Sequence, residues 1–212
     1  MEIKAILFDF DGTLADTIED LVNAWTYAFL TKEIKISKED YLLREGMNLL
    51  KIVDEISNKY GVKIVNREEI IRLKDEFYFK NHKFKFFPGI ENMISQLKEK
   101  NYKLAIVSAS PRKKLERTIP TDFLNKFNAI ISGEDTEDGK PSPEPYLSAM
   151  KKLKVSPENT IVVENSPLGI KSAISAGAYC IAIATTLKRE YLKEADKIVD
   201  NHKKLSNFLR LI

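Results

Sequence analysis

Two aspartates separated by a single residue, Asp9 and Asp11, come directly after an apolar segment at residues 3–8. Two carboxylates at alternate positions can bind a hard cation and divide two tasks, nucleophilic attack and proton transfer. Gly12 follows them and allows the chain to turn sharply away. The alternative at this stage is an acidic strand end that leads into a turn without chemistry.

A serine follows a second apolar segment in the same way. Residues 104–107 are apolar and lead to Ser108, while Ser110 and Pro111 predict a helix with Ser110 as its N-cap and Pro111 as its first residue. The first turn of a helix offers backbone amides to an anion. Ser108 and the amides beside it are therefore a candidate phosphate site, although the pattern is also typical of an ordinary strand-to-helix turn.

Three further residues with suitable chemistry lie in later loops. Lys140 belongs to segment 139–145, where prolines restrict the backbone and would hold one ammonium group in a fixed direction. An exposed loop lysine is the alternative for this residue. Glu164 and Asn165 follow the apolar segment 160–163 and offer oxygen ligands of the kind that magnesium accepts.

The apolar segments that precede these residues predict a parallel sheet. Six short runs occur at 3–8, 104–107, 129–131, 160–163, 180–183 and 198–199, and helical patterns separate several of them, at 89–100, 143–153 and 167–176. This alternation is typical of an α/β fold with a doubly wound parallel sheet. Ligands bind at the carboxyl ends of the strands in that class. One edge of the sheet is therefore predicted to gather Asp9, Asp11, Ser108, Lys140, Glu164 and Asn165.

Residues 17–84 interrupt the alternation, because they have helical periodicity and almost no strand-like runs. We interpret them as an inserted all-helical cap, with residues 1–16 and 85–212 forming the α/β core. Thr17 or Asp16 is the predicted N-cap of the first cap helix, and Glu19 or Asp20 would complete a capping box. Trp25 lies on the apolar face of that helix and is predicted to be cap core. Residues 14–17 and 84–89 are the two connections about which the cap would move.

Composition excludes several classes of function. The net charge of +3 is small and dispersed, which argues against a nucleic-acid partner. No apolar run approaches the ~18 residues of a membrane span, and no basic leader precedes the first strand, so we expect a cytoplasmic protein without a membrane partner. The single Cys180 is predicted to be a buried strand thiol. We expect a monomer or a weak homo-oligomer.

The ordered set of motifs resembles the haloacid dehalogenase-like (HAD) superfamily, in its phosphatase and β-phosphoglucomutase-like branch. The matching features are the Asp-x-Asp-Gly-Thr motif at residues 9–13, the serine after the second strand, the lysine of Gly-Lys-Pro-x-Pro, and the Glu164 region with Gly177 after it. The branch also carries a helical cap after the first motif. The resemblance spans nearly the whole chain and implies a Rossmann-like core and a magnesium-dependent phosphoric monoester hydrolase.

The resemblance also implies a role for each candidate residue. Asp9 would attack phosphorus and form an aspartyl-phosphate, and Asp11 would protonate the leaving oxygen and then help to activate water. Ser108, the amide of Ala109 and Lys140 would hold the phosphoryl oxygens. Magnesium would be held by the Asp9 carboxylate, the Asp11 carbonyl and the segment Glu164-Asn165, directly or through water.

Asn165 departs from the family pattern, because many relatives have an acid at its position. A neutral amide oxygen would bind magnesium more weakly than a carboxylate. Asn165 is therefore either a metal ligand or a structural side chain that caps the next turn, and the sequence favours neither.

Several other reactions compete with phosphate-ester hydrolysis. A dehalogenase does not need the second acid, which is present here as Asp11, and a phosphonatase-like enzyme would need a Schiff-base lysine that the cap does not reveal. A β-phosphoglucomutase-like phosphosugar mutase uses the same core and differs in whether water or a sugar hydroxyl accepts the phosphoryl group. A noncatalytic module that binds phosphorylated ligands is favoured only by Asn165.

The substrate is expected to be a small phosphorylated metabolite. The cap loop 44–47 is a candidate for its selection, with Arg44 and Gly46 as the residues of interest. Arg44 could equally be an exposed helix residue.

Overall fold

The computed structural model describes residues 2–212, so Met1, the first residue of the predicted core, lies outside the described residues. Within that range six parallel strands form a sheet in the order β3-β2-β1-β4-β5-β6. The strands are β1 (Ala5–Phe8), β2 (Lys103–Val107), β3 (Ala129–Ile131), β4 (Thr160–Glu164), β5 (Tyr179–Ile183) and β6 (Lys197–Val199). The predicted doubly wound parallel sheet is confirmed.

Residues 2–212 also contain ten α-helices and two short 3-10 turns. The helices are α1 (Ile18–Leu30), α2 (Lys38–Leu42), α3 (Leu49–Tyr60), α4 (Arg67–Asn81), α5 (Ile90–Glu99), α6 (Arg112–Thr118), α7 (Thr121–Leu124), α8 (Glu144–Leu153), α9 (Pro167–Ser175) and α10 (His202–Arg210). The 3-10 turns are Pro157–Asn159 and Arg189–Leu192.

Alternate residues of the central strands pack into two different cores. In β1, Ile6 and Phe8 belong to a cluster with buried residues of α5 and α10. Ala5 and Leu7 face the opposite way and belong to a cluster with buried residues of α8 and α9. Both faces of the sheet are therefore covered, which explains why its central strands are continuously apolar.

Helices α1 to α4 fill the segment between β1 and α5, and no strand occurs among the described residues 17–84. Trp25 of α1 is buried and stacks on Phe29 at a centroid distance of 5.6 Å, as predicted for a residue of the helical segment's core. The two predicted connections lie side by side: the amide of Asp16 donates to the carbonyl of Lys85 at 3.0 Å. The division into a rigid core and a mobile cap stays a prediction.

The predicted capping interactions of two helices are wrong in detail. Thr17 is the N-cap of α1, but its side chain makes no capping hydrogen bond, and its hydroxyl donates to Asp11 Oδ1 at 2.6 Å instead. The capping box is absent from α1 because Asp20 accepts from the backbone amide of Lys83. The N-cap of α6 is Pro111, one residue later than predicted, because Ser110 is directed toward Asp11.

Two other sequence-based expectations can be compared with the fold. Cys180 is a buried free thiol on β5, as predicted, and burial raises its pKa well above its ordinary value. Among the helices of residues 2–212, none combines the length and the apolar character that a bilayer span requires.

Candidate active site

The register of three central strands places the candidate residues at one edge of the sheet. Phe8, the last residue of β1, pairs with Ile106 of β2 and with Val163 of β4. Asp9 and Glu164 come directly after Phe8 and Val163, so they lie at the carboxyl ends of neighbouring strands. The chain then turns at Gly12, whose φ is +80°, as its position in the motif predicts.

Lys140 joins the two acids at this edge. Its Nζ lies 2.6 Å from Asp9 Oδ1 and 2.5 Å from Glu164 Oε1, and its side chain is 2% exposed. The three residues are distant in sequence but close in space, because the loop before α8 returns to the sheet edge. Lys140 is therefore not an exposed loop lysine, and the alternative considered for it is wrong.

Asp9 is buried, with 6% of its surface exposed. Burial raises the pKa of its carboxyl to about 7, against the opposing attraction of Lys140 and with a further upward contribution from Glu164. Its Oδ1 contacts Lys140, whereas its Oδ2 is buried and has no hydrogen-bond partner among residues 2–212. A buried carboxylate oxygen without a partner requires a donor or a cation.

Glu164 is fully buried, and protein donors surround both of its oxygens. Oε1 accepts from Lys140 and from the Tyr146 hydroxyl at 2.7 Å. Oε2 accepts from the Asn165 amide at 2.9 Å and from the amide and hydroxyl of Ser166, both at 3.1 Å. Direct ligation of a cation by Glu164 would have to displace these donors. The arrangement instead fits a residue that positions Lys140.

Asp11 is held by two hydroxyls. Thr17 donates to Oδ1 at 2.6 Å, and Ser110 donates to Oδ2 at 3.3 Å. Ser110 also belongs to the loop of Ser108, since its amide donates to Ser108 Oγ at 3.1 Å. The two serines and Asp11 therefore form one connected polar group beside Asp9.

The side chain of Asn165 does not cap the turn after β4, so the structural alternative considered for it is wrong in that form. Ser166 is the N-cap of α9, and its hydroxyl accepts from the Gly169 amide at 3.1 Å. Asn165 instead links three separate segments: Oδ1 accepts from Thr13 at 2.9 Å, and Nδ2 donates to Glu45 and to Thr186 at 3.2 Å. Its role as a metal ligand stays a prediction.

A cavity of about 30 Å³ lies between the sheet edge and the helical segment. It is lined by Asp9, Asp11, Leu21, Trp25, Tyr41, Glu45, Gly46, Met47, Leu49, Ile52, Lys74, Ser108, Ala109, Ser110 and Lys114. A larger opening of about 280 Å³ shares Gly46, Ser108 and Ala109 with it and also contacts Lys140. The enclosed space holds a few waters at most, which is too little room for a phosphate ester, whereas the larger opening reaches Ser108, Ala109 and Lys140 from outside.

Arg44 and Gly46 differ in their relation to this cavity. Gly46 lines it, as the candidate specificity loop predicts. Arg44 is directed away: its Nε lies 2.9 Å from Glu55 Oε2, and its Nη1 donates to the carbonyl of Asp40 at 2.9 Å. The proposed role of Arg44 in substrate selection receives no support from these contacts.

Two buried lysines face the same cavity. Lys74 pairs with Asp75 at 2.6 Å, and burial together with the nearby Lys114 lowers its pKa to about 8. Lys114 is 6% exposed, donates to Ser110 Oγ at 3.2 Å and lies over the ring of Tyr78 at 4.3 Å. Within residues 2–212 no carboxylate forms an ion pair with Lys114. A buried ammonium without an acidic partner favours the entry of an anion.

The residues at this sheet edge supply some, but not all, of the ligands that a hard cation such as magnesium needs. The unpartnered Asp9 Oδ2 is an oxygen of the type that magnesium binds. No group of three His, Cys, Asp or Glu side chains converges as a metal cluster in residues 2–212, and that includes this edge of the sheet. A cation here would therefore depend on Asp9 together with neutral oxygens, for which the sequence suggests the Asp11 carbonyl and Asn165 Oδ1, although Oδ1 already accepts from Thr13.

Several side chains at the site carried no assigned chemical role in the sequence. Glu45 lies inside the loop 44–47 that the sequence indicates, yet nothing in the pattern singles it out. Tyr146 and Lys114 appear in sequence as parts of amphipathic helices. Glu45 and Tyr146 reach the site through contacts with distant residues, Asn165 and Glu164, which local spacing does not encode. Lys114 contacts Ser110, four residues before it, but the sequence does not show that the lysine is buried.

Gly169 of α9 packs directly against Glu164, and this contact leads to a prediction. A Cβ at position 169 would lie 1.8 Å from Glu164 Oε1. Gly169→Ala is therefore expected to displace Glu164 and with it Lys140, reducing turnover at least tenfold and stability by roughly 1–3 kcal/mol. Urea unfolding and phosphate-release rates measure both effects.

Gly61→Ala is the control for this change. A Cβ at position 61 meets nothing within 4 Å, although the φ of +67° there means that alanine also costs some stability. Its turnover should be unchanged, because position 61 is remote from Glu164. Equal losses of turnover in the two variants would contradict the prediction.

The fold and the polar edge define an α/β enzyme of the doubly wound class with a helical segment inserted after its first strand. Residues 6–183 match the family model described as "Haloacid dehalogenase-like hydrolase". The chain belongs to the haloacid dehalogenase-like hydrolase family, which confirms the resemblance seen in the sequence.

Similar proteins with known names support the same family assignment. The chain is 31% identical over 209 residues to "Pyrophosphatase PpaX" of Oceanobacillus iheyensis, covering 96% of this chain and 95% of that protein. It is 31% identical to the "Phosphorylated carbohydrates phosphatase" of Thermotoga maritima, covering 82% of each. The structure of a beta-phosphoglucomutase from Clostridium difficile superimposes with a TM-score of 0.81 at 25% identity, covering 99% of this chain and 100% of that one. The chain also matches 19% of the length of "Protein SUPPRESSOR OF QUENCHING 1, chloroplastic" from Arabidopsis thaliana.

Proposed function

We propose that the protein is a magnesium-dependent phosphatase that hydrolyses a small phosphorylated metabolite through an aspartyl-phosphate on Asp9. The observation that carries the proposal is the buried carboxylate of Asp9, which Lys140 holds through one oxygen while the other oxygen has no partner in residues 2–212. The names of the phosphatases among its relatives support the same activity.

The proposed reaction has two displacements on phosphorus. An oxygen of Asp9 forms a bond to phosphorus as the bond to the leaving oxygen breaks, and Asp11 gives that oxygen a proton. A water then attacks the phosphorus of the aspartyl-phosphate, Asp11 takes a proton from the water, and phosphate leaves with Asp9 restored. Thr17 and Ser110 hold Asp11 in place for both proton transfers.

Lys140, Ser108 and the amide of Ala109 are the proposed contacts of the transferring phosphoryl oxygens. Lys140 already lies against Asp9, and Ser108 and Ala109 line the cavity beside it. Magnesium held by Asp9, the Asp11 carbonyl and Asn165 would offset the negative charge of the phosphoryl group. Glu164 serves this arrangement by fixing Lys140.

The two lysines of the cavity narrow the proposed substrate class. Lys114 donates to Ser110 and forms no ion pair with an acid within residues 2–212, and Lys74 lines the same cavity. A leaving group that carries a second anionic group, a carboxylate or another phosphate, would supply the missing countercharge. We therefore propose a substrate with two anionic groups, only one of which is transferred.

A phosphate-release screen with and without EDTA tests this function. Each anionic substrate is paired with an analogue in which the second anionic group is removed, and we expect the anionic member to have the higher kcat/KM. Lys114→Met should raise KM for the anionic members by about tenfold, with less effect on p-nitrophenyl phosphate. Full activity in EDTA would exclude the metal dependence, and equal KM changes for both members of each pair would exclude the second anion site.

The same screen separates hydrolysis from phosphoryl transfer to a sugar. A mutase converts β-glucose 1-phosphate without releasing phosphate, whereas the proposed phosphatase releases it. The cytoplasmic location and the monomeric or weakly oligomeric state stay predictions.

A further inference from the structure

A buried hydrogen-bonded pair joins the helical segment to the sheet edge. Glu45, in the loop between α2 and α3, is 4% exposed, and Asn165 is fully buried. Both carboxylate oxygens of Glu45 lie 3.0 Å from Asn165 Nδ2. A buried carboxylate is strongly unfavourable unless donors compensate it, so this contact is important to the position of the loop.

The neutral amide of Asn165 is what makes the contact favourable. Its Oδ1 accepts from the Thr13 hydroxyl at 2.9 Å, which directs Nδ2 toward Glu45 and Thr186. An aspartate at position 165 would present an oxygen to Glu45 instead of an N–H group. Two buried carboxylates at hydrogen-bond distance repel each other unless they share a proton.

The next residue of the loop contacts Lys140. Gly46 has a φ of +86°, and a Cβ there would lie 2.7 Å from Lys140 Cδ. The loop therefore approaches Lys140 as closely as it does only because position 46 is glycine. Since Glu45 precedes Gly46, its bond to Asn165 fixes how closely the loop covers Lys140 and Asp9.

We propose that the Glu45–Asn165 hydrogen bond is a latch that holds the helical segment closed over the site, and that an amide stands at position 165 because the latch requires a donor. Glu45 is a positioning residue in this proposal. The latch would account for an amide, rather than an acid, at position 165. It depends on the proposed function only through the turnover measurement, because closure can be observed without substrate.

A reciprocal exchange of the two groups tests the latch. The proteins compared are wild type, Asn165→Asp, Glu45→Gln and the double variant Glu45→Gln/Asn165→Asp, all in EDTA and at alkaline pH so that bound metal and a shared proton are both disfavoured. Asn165→Asp is expected to lower Tm and to increase the radius of gyration in solution scattering. In the double variant, the amide introduced at position 45 donates to the carboxylate introduced at position 165, and both quantities should return toward wild type.

Turnover at saturating magnesium provides an independent readout. Asn165→Asp should reduce kcat/KM at least tenfold, and the double variant should recover most of that loss. Lys51→Gln is the matched control, because it removes the 2.7 Å ion pair between Lys51 of the helical segment and Asp138 of the core, whose side chains are both more than half exposed. An exposed ion pair contributes little, so this variant should change neither Tm nor the radius of gyration.

Two results would overturn the proposal. In the first, the double variant is no better than Asn165→Asp in radius of gyration. In the second, the exchange restores Tm but not the radius of gyration, which would show that the pair stabilises the fold without controlling closure. Absence of turnover in the wild-type protein would refute the proposed function and leave the scattering test of the latch intact.

Discussion

Asp9→Asn protein is expected to fold normally and to release phosphate at least ~10³-fold more slowly than wild type. The carboxamide has nearly the shape of the carboxylate, so its oxygen can keep the contact with Lys140 that Asp9 Oδ1 makes at 2.6 Å. Lys140 also retains Glu164 as its counterion. The change therefore removes the nucleophile and leaves the charge balance of the buried site satisfactory.

Phosphate release is measured with the best substrate of the screen, and thermal unfolding verifies the fold. The mass of each preparation is checked, because deamidation of the introduced asparagine would restore the aspartate. Glu19→Gln is the control, since Glu19 is an exposed carboxylate paired with Lys38 on the surface and should not affect turnover. Wild-type rates in a verified Asp9→Asn preparation would exclude an aspartyl-phosphate on this residue.

The strands and the gathering of the motif residues could be predicted from sequence because both depend on short-range rules. A central strand covered on both faces is continuously apolar, as residues 161–163 are, and this pattern is visible without the fold. Once a parallel sheet is predicted, the residues after its strands must share one edge. The sheet order β3-β2-β1-β4-β5-β6 places the strand that ends before Asp9 between β2 and β4.

The partners of polar side chains could not be predicted in the same way. The sequence suggests that Thr17 caps α1, because a threonine before a helix ordinarily does so. In the structure the hydroxyl of Thr17 is taken by Asp11 at 2.6 Å, a stronger acceptor that the turn after β1 brings near. Asp11 is only six residues from Thr17, but the N-cap pattern does not show that the turn after β1 brings the two side chains together.

Asn165 illustrates the same limit for the site itself. The sequence offers two roles, metal ligand or turn cap, and neither includes Glu45, which is 120 residues away. The sequence indicates the loop 44–47 as a candidate for substrate selection, and within it Arg44 attracts more attention than Glu45. The acid next to Arg44 is the one that the fold places against Asn165.

Lys140→Met is expected to reduce turnover by ~10²-fold or more and to destabilise the protein by about 3–5 kcal/mol. Lys140 contacts Asp9 Oδ1 and Glu164 Oε1 at 2.6 and 2.5 Å, so its removal leaves two buried carboxylates close together without a cation. Within residues 2–212 no other cation forms an ion pair with either acid. Methionine keeps much of the side-chain volume, which limits the effect of packing.

The double variant Lys140→Met/Glu164→Gln separates two roles of Lys140: balancing the buried negative charges and contacting the phosphoryl group. The glutamine introduced at position 164 can direct its oxygen to the backbone amides of Asn165 and Ser166, which now donate to Oε2. Its amide nitrogen then replaces Oε1 and can donate to the Tyr146 hydroxyl, which now donates to that oxygen. Stability measured by urea unfolding should therefore recover substantially, because one buried negative charge is gone. Turnover should not recover, because the cation that contacts the phosphoryl oxygens is still missing. Recovery of turnover in the double variant, or a turnover within about threefold of wild type for Lys140→Met, would show that Lys140 serves only to balance charge between Asp9 and Glu164.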